Sequence, residues 1–220
     1  MDAIECIKTR MSIRKFKSDP VPSEILMKVV DIAKWSPSYK NSQPWEVVII
    51  SGKKKEALSK HLVELLERNT QPCPDLPEPQ SWPPAIDARI AALMKKRSEL
   101  IGKDLNAPES RKKSKIANFH FYGAPHGIFL FQDLSLTPWS ILDMGLFAQS
   151  LMLAAHAHGL GTVPQAFLTD YAQHVKKFLG TPESKRLVLA ISIGYPDLES
   201  PVNSFRTDRV DIDEIVRMVE

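Results

Sequence analysis

The stretch Trp139–Gly161, WSILDMGLFAQSLMLAAHAHGLG, constrains this chain more than any other. Wound at 3.6 residues per turn, its Ile, Leu, Met, Phe and Ala side chains occupy almost every direction around the axis and leave no wide polar stripe for water. A helix apolar nearly all round is a buried one, and Gly159 supplies its stop. One sheet face cannot easily surround such a helix in a chain of 220 residues. Its other side calls either for a second copy of the protein or for the centre of a monomeric core, and the pattern alone admits both.

Composition bears on what such a core serves. With 43% hydrophobic and 25% charged residues the chain is of ordinary globular make-up, long enough for one large domain with an excursion. A net charge of +3 is too small to name a nucleic-acid partner. The basic clusters at Lys53 to Lys55, Lys95 to Arg97 and Arg111 to Lys115 are interleaved with acids and read as solvated faces. Cys6 and Cys73 lie far apart without CxxC or Cys/His spacing, so no disulfide framework and no metal site is expected, and a reducing cytoplasm fits best. The start, MDAIECIKTR, carries charges where a secretory segment needs an apolar stretch, and no run approaches the ~18 apolar residues of a membrane span.

In chain order, Asp2 to Lys8 reads as a short helix leading into Arg10-Met11-Ser12-Ile13-Arg14-Lys15-Phe16. Alternation in an extended segment puts Arg10, Ser12 and Arg14 on one side, where two guanidinium forks flanking a hydroxyl suit an anion. After the turn Asp19-Pro20-Val21-Pro22, Ser23 caps a helix that ends near Trp35, because Ser36-Pro37 disfavours continuation. The loop Ser36-Pro37-Ser38-Tyr39-Lys40-Asn41-Ser42-Gln43-Pro44-Trp45 then feeds a strand from Glu46 to Ser51. Its hydroxyls and amides suit the edge of a flat heterocycle, or a turn-rich surface loop.

A helix opens at Lys53 and runs through Leu66. Between Gln71 and Pro84 six prolines exclude a helix or a central strand. Helical stripes return from Ile86 to Ile101 and from Arg111 to near Tyr122. Gly127 to Phe131 and Leu187 to Ile193 are continuous apolar runs that read as central strands. Three strands separated by helices give an α/β or α+β sheet with helices on both faces. Thr162 to Phe167 reads as a short connection, and the polar tail closes with a short helix from Asp211. The six histidines form no ligand cluster in sequence.

Taken in order, Arg10-x-Ser12-x-Arg14, Ser36-Pro37-Ser38-x-x-Asn41-x-Gln43-Pro44-Trp45, Asp143-x-Gly145, Gly159-Leu160-Gly161-Thr162 and Ile193-Gly194-Tyr195-Pro196 through Arg206 and Arg209 resemble the nitroreductase family of FMN-dependent oxidoreductases. The resemblance implies one domain over residues 1–220, with a central mixed sheet, a long helix at a homodimer interface, and an excursion at about 67–122 over the active site. It implies that FMN is held by Arg10, Met11, Ser12, Arg14, Pro37, Ser38, Tyr39, Asn41, Gln43, Pro164, Gln165, Ala166, Arg206 and Arg209. The connection Pro164-Gln165-Ala166 would pass the flavin ring, giving backbone hydrogen bonds near N5. Trp82, Phe119, Phe121 and Tyr122, with Met94, would wall the substrate pocket. With neither GxGxxG nor GxxxxGK[ST] present, a nicotinamide donor, NADH or NADPH, would visit the flavin directly and alternate there with a nitroaromatic, quinone or similar acceptor. Flavin-dependent dehalogenation, a flavin-storage protein without turnover and a basic interaction module are the rival readings.

Overall fold

Alternation along the central strands sets the architecture. A computed structural model describes residues 1–220. It places β1 (Glu46–Ser51), β2 (His126–Asp133), β3 (Gly161–Gln165) and β4 (Lys185–Gly194) in one sheet of order β1-β2-β4-β3. The three ladders are antiparallel, and parallel pairing enters through a single bridge from Ser12 to Thr162. On β2, Ile128 and Leu130 face one side while Phe129 and Phe131 face the other, all four fully buried. The first side is closed by α2 (Ser23–Ala33) and α6 (Trp139–Ala157), through Leu26, Val29, Phe147 and Leu151. The second is closed by α3 (Gly52–Glu67), α5 (Pro108–Phe119) and α7 (Ala172–Leu179), through Leu58, Leu62, Phe119 and Val175. Each such side chain contributes about 1.5–3 kcal/mol of burial, which is why both central strands read as apolar runs.

Two elements stand outside these layers. α1 (Ala3–Thr9), capped by the Asp2 carboxylate on the Glu5 N–H at 3.0 Å, lies against α6 and buries Cys6 there. α4 (Pro84–Ile101) buries no residue and packs beside the C-terminal tail, where Arg89 meets Glu214 at 3.6 Å and Lys96 pairs with Asp208. The proline-rich segment before α4 is tied down at Asp75. Its carboxylate accepts from Lys176 Nζ at 2.9 and 3.1 Å and from the Leu187 N–H at 2.8 Å. Lys176 is buried, so losing either partner would strand a charge in the interior.

Several expectations need correction. Thr162 to Gln165 is strand, not connection: β3 is the outer strand, where the missing N–H of Pro164 is tolerated. Gly161 is required there, since a Cβ would sit 2.6 Å from Ile13 Cγ1 where the N-terminal segment crosses. Ser23 is the first residue of α2 and does not cap it; Pro22 precedes the helix. The helix expected from Asp211 is only a 3-10 turn, Ile212–Glu214. α6 itself is half covered by its own chain. Trp139, Leu142 and Leu146 remain 63%, 58% and 46% exposed and, with Gln149, form a stripe along its outer side.

Candidate active site

The cradle of basic residues begins with a buried residue. Ile13 is locked to the outer edge of β3 by its N–H on Thr162 O at 2.9 Å, and this holds its neighbours at a cavity of about 350 Å³. Arg10, Met11, Ser12 and Arg14 line that cavity together with Arg97 of α4 and the tail residues Arg206 and Arg209. One buried amide joins the two segments. Asn203 Oδ1 accepts from the Arg14 N–H at 2.7 Å, while its Nδ2 donates to Lys15 O and Asp197 O, both at 2.8 Å. Arg206 Nη1 donates to Thr9 O at 2.7 Å, closing the tail against α1.

Five guanidinium groups thus line one cavity, and none is paired with a carboxylate. Arg10 Nη1 is buried without any hydrogen-bond partner. Burial first, then Arg209 and Arg206, push the Arg10 pKa below its ordinary value. Burial and then Arg14 do the same to Arg97, with Tyr122 opposing. His156, 2.8 Å from Thr9 Oγ1, is pulled down by burial and then by Arg10 and Arg206. A concentration of like charge with an unmet buried donor is unfavourable by itself, and charge-assisted bonds to a dianion would satisfy it.

Pro164 and Ala166 are exposed on β3 and just beyond it. Gln165 is not: at 1% exposure, its Nε2 donates to Asn118 O and Oδ1 at 3.0 and 3.1 Å, and its Oε1 accepts from Ser192. Its side chain is therefore committed to the interior, leaving only its backbone for a ligand. Phe119 and Phe121, expected at the substrate pocket, are likewise fully buried in the core and line neither the cradle nor the larger cavity beside it. The Phe121 ring fills the space where a Cβ on Gly127 would sit, 2.4 Å from it, and packs edge-on to Phe129. Tyr122 is half-buried, its hydroxyl accepting from Asn118 Nδ2 at 2.9 Å, and Trp82 stands exposed on the proline-rich segment. Met94 does line a cavity, of about 860 Å³, that opens between α4, α5 and Phe167 and shares Arg97 with the cradle.

The loop residues Pro37, Ser38, Tyr39, Asn41 and Gln43 lie elsewhere in the same chain. The loop packs on the first half of α6: Tyr39 N–H donates to Asp143 Oδ1 at 3.1 Å, and the Tyr39 and Trp139 rings stack at 6.0 Å. Lys40, Asn41 and Gln43 all adopt positive φ, near 50°, and the Ser38 hydroxyl accepts the Gln43 N–H at 3.0 Å. Three non-glycine residues in that region make a shape fixed at a cost of about 1–2 kcal/mol each. An adjoining cavity that Arg10 and Arg206 also line borders His156, thirteen residues beyond Asp143 along α6, a span of roughly 20 Å at 1.5 Å per residue. A single chain therefore does not bring the loop to the cradle.

Arg97 and Asn203 belong to the site without a signal of their own in the sequence. Arg97 belongs to a basic cluster whose interleaved acids read as a solvated face, and Asn203 is a lone amide in a polar tail with no periodic pattern to single it out.

A family model for the nitroreductase family matches residues 7–195. The chain belongs to the nitroreductase family. Among its relatives in that family, the nitroreductase NfnB of Mycolicibacterium smegmatis is 34% identical over 214 residues, covering 96% of this chain and 90% of that protein. A 4-nitrobenzoate reductase of Pseudomonas putida is 31% identical over 212 residues, covering 92% and 89%. The crystal structure of the FMN-dependent nitroreductase NfnB from Mycobacterium smegmatis in complex with NADPH superposes with a TM-score of 0.93 at 32% identity, over 99% of this chain and 98% of that one. The nitroreductase fold thus accounts for the sheet, the two helical layers and the long central helix.

Proposed function

We propose that this chain is an FMN-dependent oxidoreductase that takes hydride from NADH or NADPH and delivers it to a nitroaromatic, quinone or similar acceptor. The observation that carries this reading is the buried, partnerless Arg10 Nη1 among four further unpaired guanidinium groups. A flavin phosphate fits that lining, and the family supplies relatives described as FMN-dependent and bound to NADPH. When bound, the flavin supplies hydride acceptance and release at N5; the protein supplies position. Arg10, Arg14, Arg206 and Arg209 hold the phosphate, Arg97 closes the cavity from α4, and Met11 and Ser12 line it between them. The exposed edge at Pro164 and Ala166 offers backbone groups to the ring. The interior hydrogen bonds of Gln165 keep that edge rigid, so its dipoles need no rearrangement when charge moves.

The functional unit in this reading is a homodimer. The outer stripe of α6 is an apolar surface that a second α6 would cover, and an antiparallel pair would lay the first half of one helix over the second half of the other. That arrangement carries Pro37, Ser38, Tyr39, Asn41 and Gln43 across the roughly 20 Å to the partner's cradle. Residues 1–220 are then one domain whose excursion at about 67–122 covers the site. We assign the protein to a reducing cytoplasm, where Cys6 and Cys73, both unbonded, stay thiols. No helix is long and apolar enough to cross a membrane.

The deciding experiment is an absorbance spectrum of the purified protein. Flavin bands that bleach rapidly with NADH or NADPH support the reading; bands that persist point to storage, and no bands remove the cofactor. Steady-state rates should give parallel double-reciprocal lines when donor is varied at several acceptor concentrations. Intersecting lines would require a separate nicotinamide site.

A further inference from the structure

Beyond the cradle lies the larger cavity of about 860 Å³, between the proline-rich segment, α4 and α5. One part of its lining is apolar, from Ile90, Met94 and Phe167. Another is cationic, from Arg97, Arg111 and Lys112. The remaining lysine in the lining, Lys115, is already matched by Asp170 at 2.7 Å, so it adds no free charge. Arg111 and Lys112 have no carboxylate partner, and Glu78 is the only unpaired acid in the lining.

The placement of these two cations is unfavourable for the fold. α5 starts at Pro108, so Arg111 closes its first turn, at the positive end of the helix dipole, and Lys112 follows directly. Lys113 beside them is compensated by Glu109 at 2.5 Å; they are not. Both are exposed at the cavity. Two cations without a carboxylate partner, facing a cavity with apolar lining, suit a ligand that is flat and apolar at one end and anionic at the other.

Resting on the flavin reading above, we propose that this cavity is an oxyanion subsite that selects substrates carrying a carboxylate or phosphate, with Arg111 and Lys112 as its specificity-determining residues. The apolar lining receives the body of the substrate next to Phe167, which follows the exposed edge at Ala166. Arg97 lines both cavities, so its guanidinium adds positive charge to this subsite from the cradle side. The oxyanion has two possible sources: an acidic substituent on the acceptor ring, or the extra phosphate that distinguishes NADPH from NADH.

Isothermal titration of the flavin-loaded protein separates the sources, using benzoate against neutral benzamide and NADP⁺ against NAD⁺. For the correct source the anionic member should bind on the order of tenfold more tightly, the worth of one hydrogen bond to a charged group. In the double variant Arg111→Ala/Lys112→Ala that preference should disappear while benzamide and NAD⁺ bind as before. Loss of the benzoate preference assigns the subsite to the acceptor; loss of the NADP⁺ preference assigns it to the donor. No preference in the wild type, or one that survives in the variant, overturns the proposal. Both results leave the flavin reading standing, because that reading is struck only by an absence of flavin bands or by bands that NADH and NADPH fail to bleach.

Discussion

Replacing Arg10 by alanine should separate what the cradle does for the fold from what it does for the cofactor. Arg10 lies near Arg206 and Arg209, is half-buried, and leaves Nη1 without a protein partner, so its removal relieves repulsion and an unmet donor. The apoprotein should therefore be as stable as wild type or slightly more so. With FMN the sign reverses. One hydrogen bond to a charged group is worth about 1.5–3 kcal/mol, so Kd should rise between roughly tenfold and a hundred and fifty-fold. Flavin fluorescence titration of the apoprotein gives Kd, and thermal melts with and without FMN give the two stabilities, the ligand-dependent part of Tm shrinking as affinity falls. Arg10→Lys should recover only part of the loss, since a single ammonium cannot form the fork. An unchanged Kd would remove Arg10 from the phosphate site. A destabilised apoprotein would mean that the guanidinium is a structural group.

Three further outcomes follow from particular contacts. Leu146→Glu on the outer stripe of α6 should give a folded protein that sediments as a monomer and retains little flavin, whereas Leu151→Glu, on the buried side, should cost several kcal/mol and fail to fold; a flavin-loaded dimer of Leu146→Glu would refute the proposed interface. Asn203→Ala removes three hydrogen bonds, two of which join the two arginine segments, so it should destabilise by about 2–4 kcal/mol and weaken FMN binding although Asn203 does not line the cradle cavity; equal affinity by titration would rule out that positioning role. His126 is held below the usual histidine pKa by burial and then by Lys55, so the unfolded chain binds its proton first and stability should fall as pH drops below about 6.5. Urea midpoints at pH 7.5 and 5.5 should show a smaller drop in His126→Gln than in wild type, and an equal drop would show that His126 does not contribute.

The elements legible in the sequence are those whose burial is uniform. β2 and β4 are covered on both faces, so their apolar runs carry the signal, and α6 shows its lack of a polar stripe directly. β3 was hidden because Pro164 argues against a strand unless the strand is known to be at the edge, which is a fact of topology. α7 is only eight residues long and buries Lys176, whose partner Asp75 lies a hundred residues away. The motif order found the arginines of the cradle. It could not tell that Phe119 and Phe121 point into the core, because an aromatic near a glycine turn reads the same in either orientation. Nor could order along the chain show that α6 separates the Ser36 to Gln43 loop from the cradle.

α4 lines both cavities through Arg97 yet buries none of its residues. Exposed positions away from caps and ion pairs usually tolerate exchange within about 0.5 kcal/mol, whereas a core position commonly costs several. Substitutions along this helix can therefore reshape what the protein accepts without spending the stability held in the sheet. Divergence in substrate range within such a scaffold should accumulate on α4 and the adjoining proline-rich segment, with the β2 and β4 ladder left intact. A saturation library confined to Ile86 to Arg97 is accordingly the shortest route to new acceptors, because most of its members will still fold.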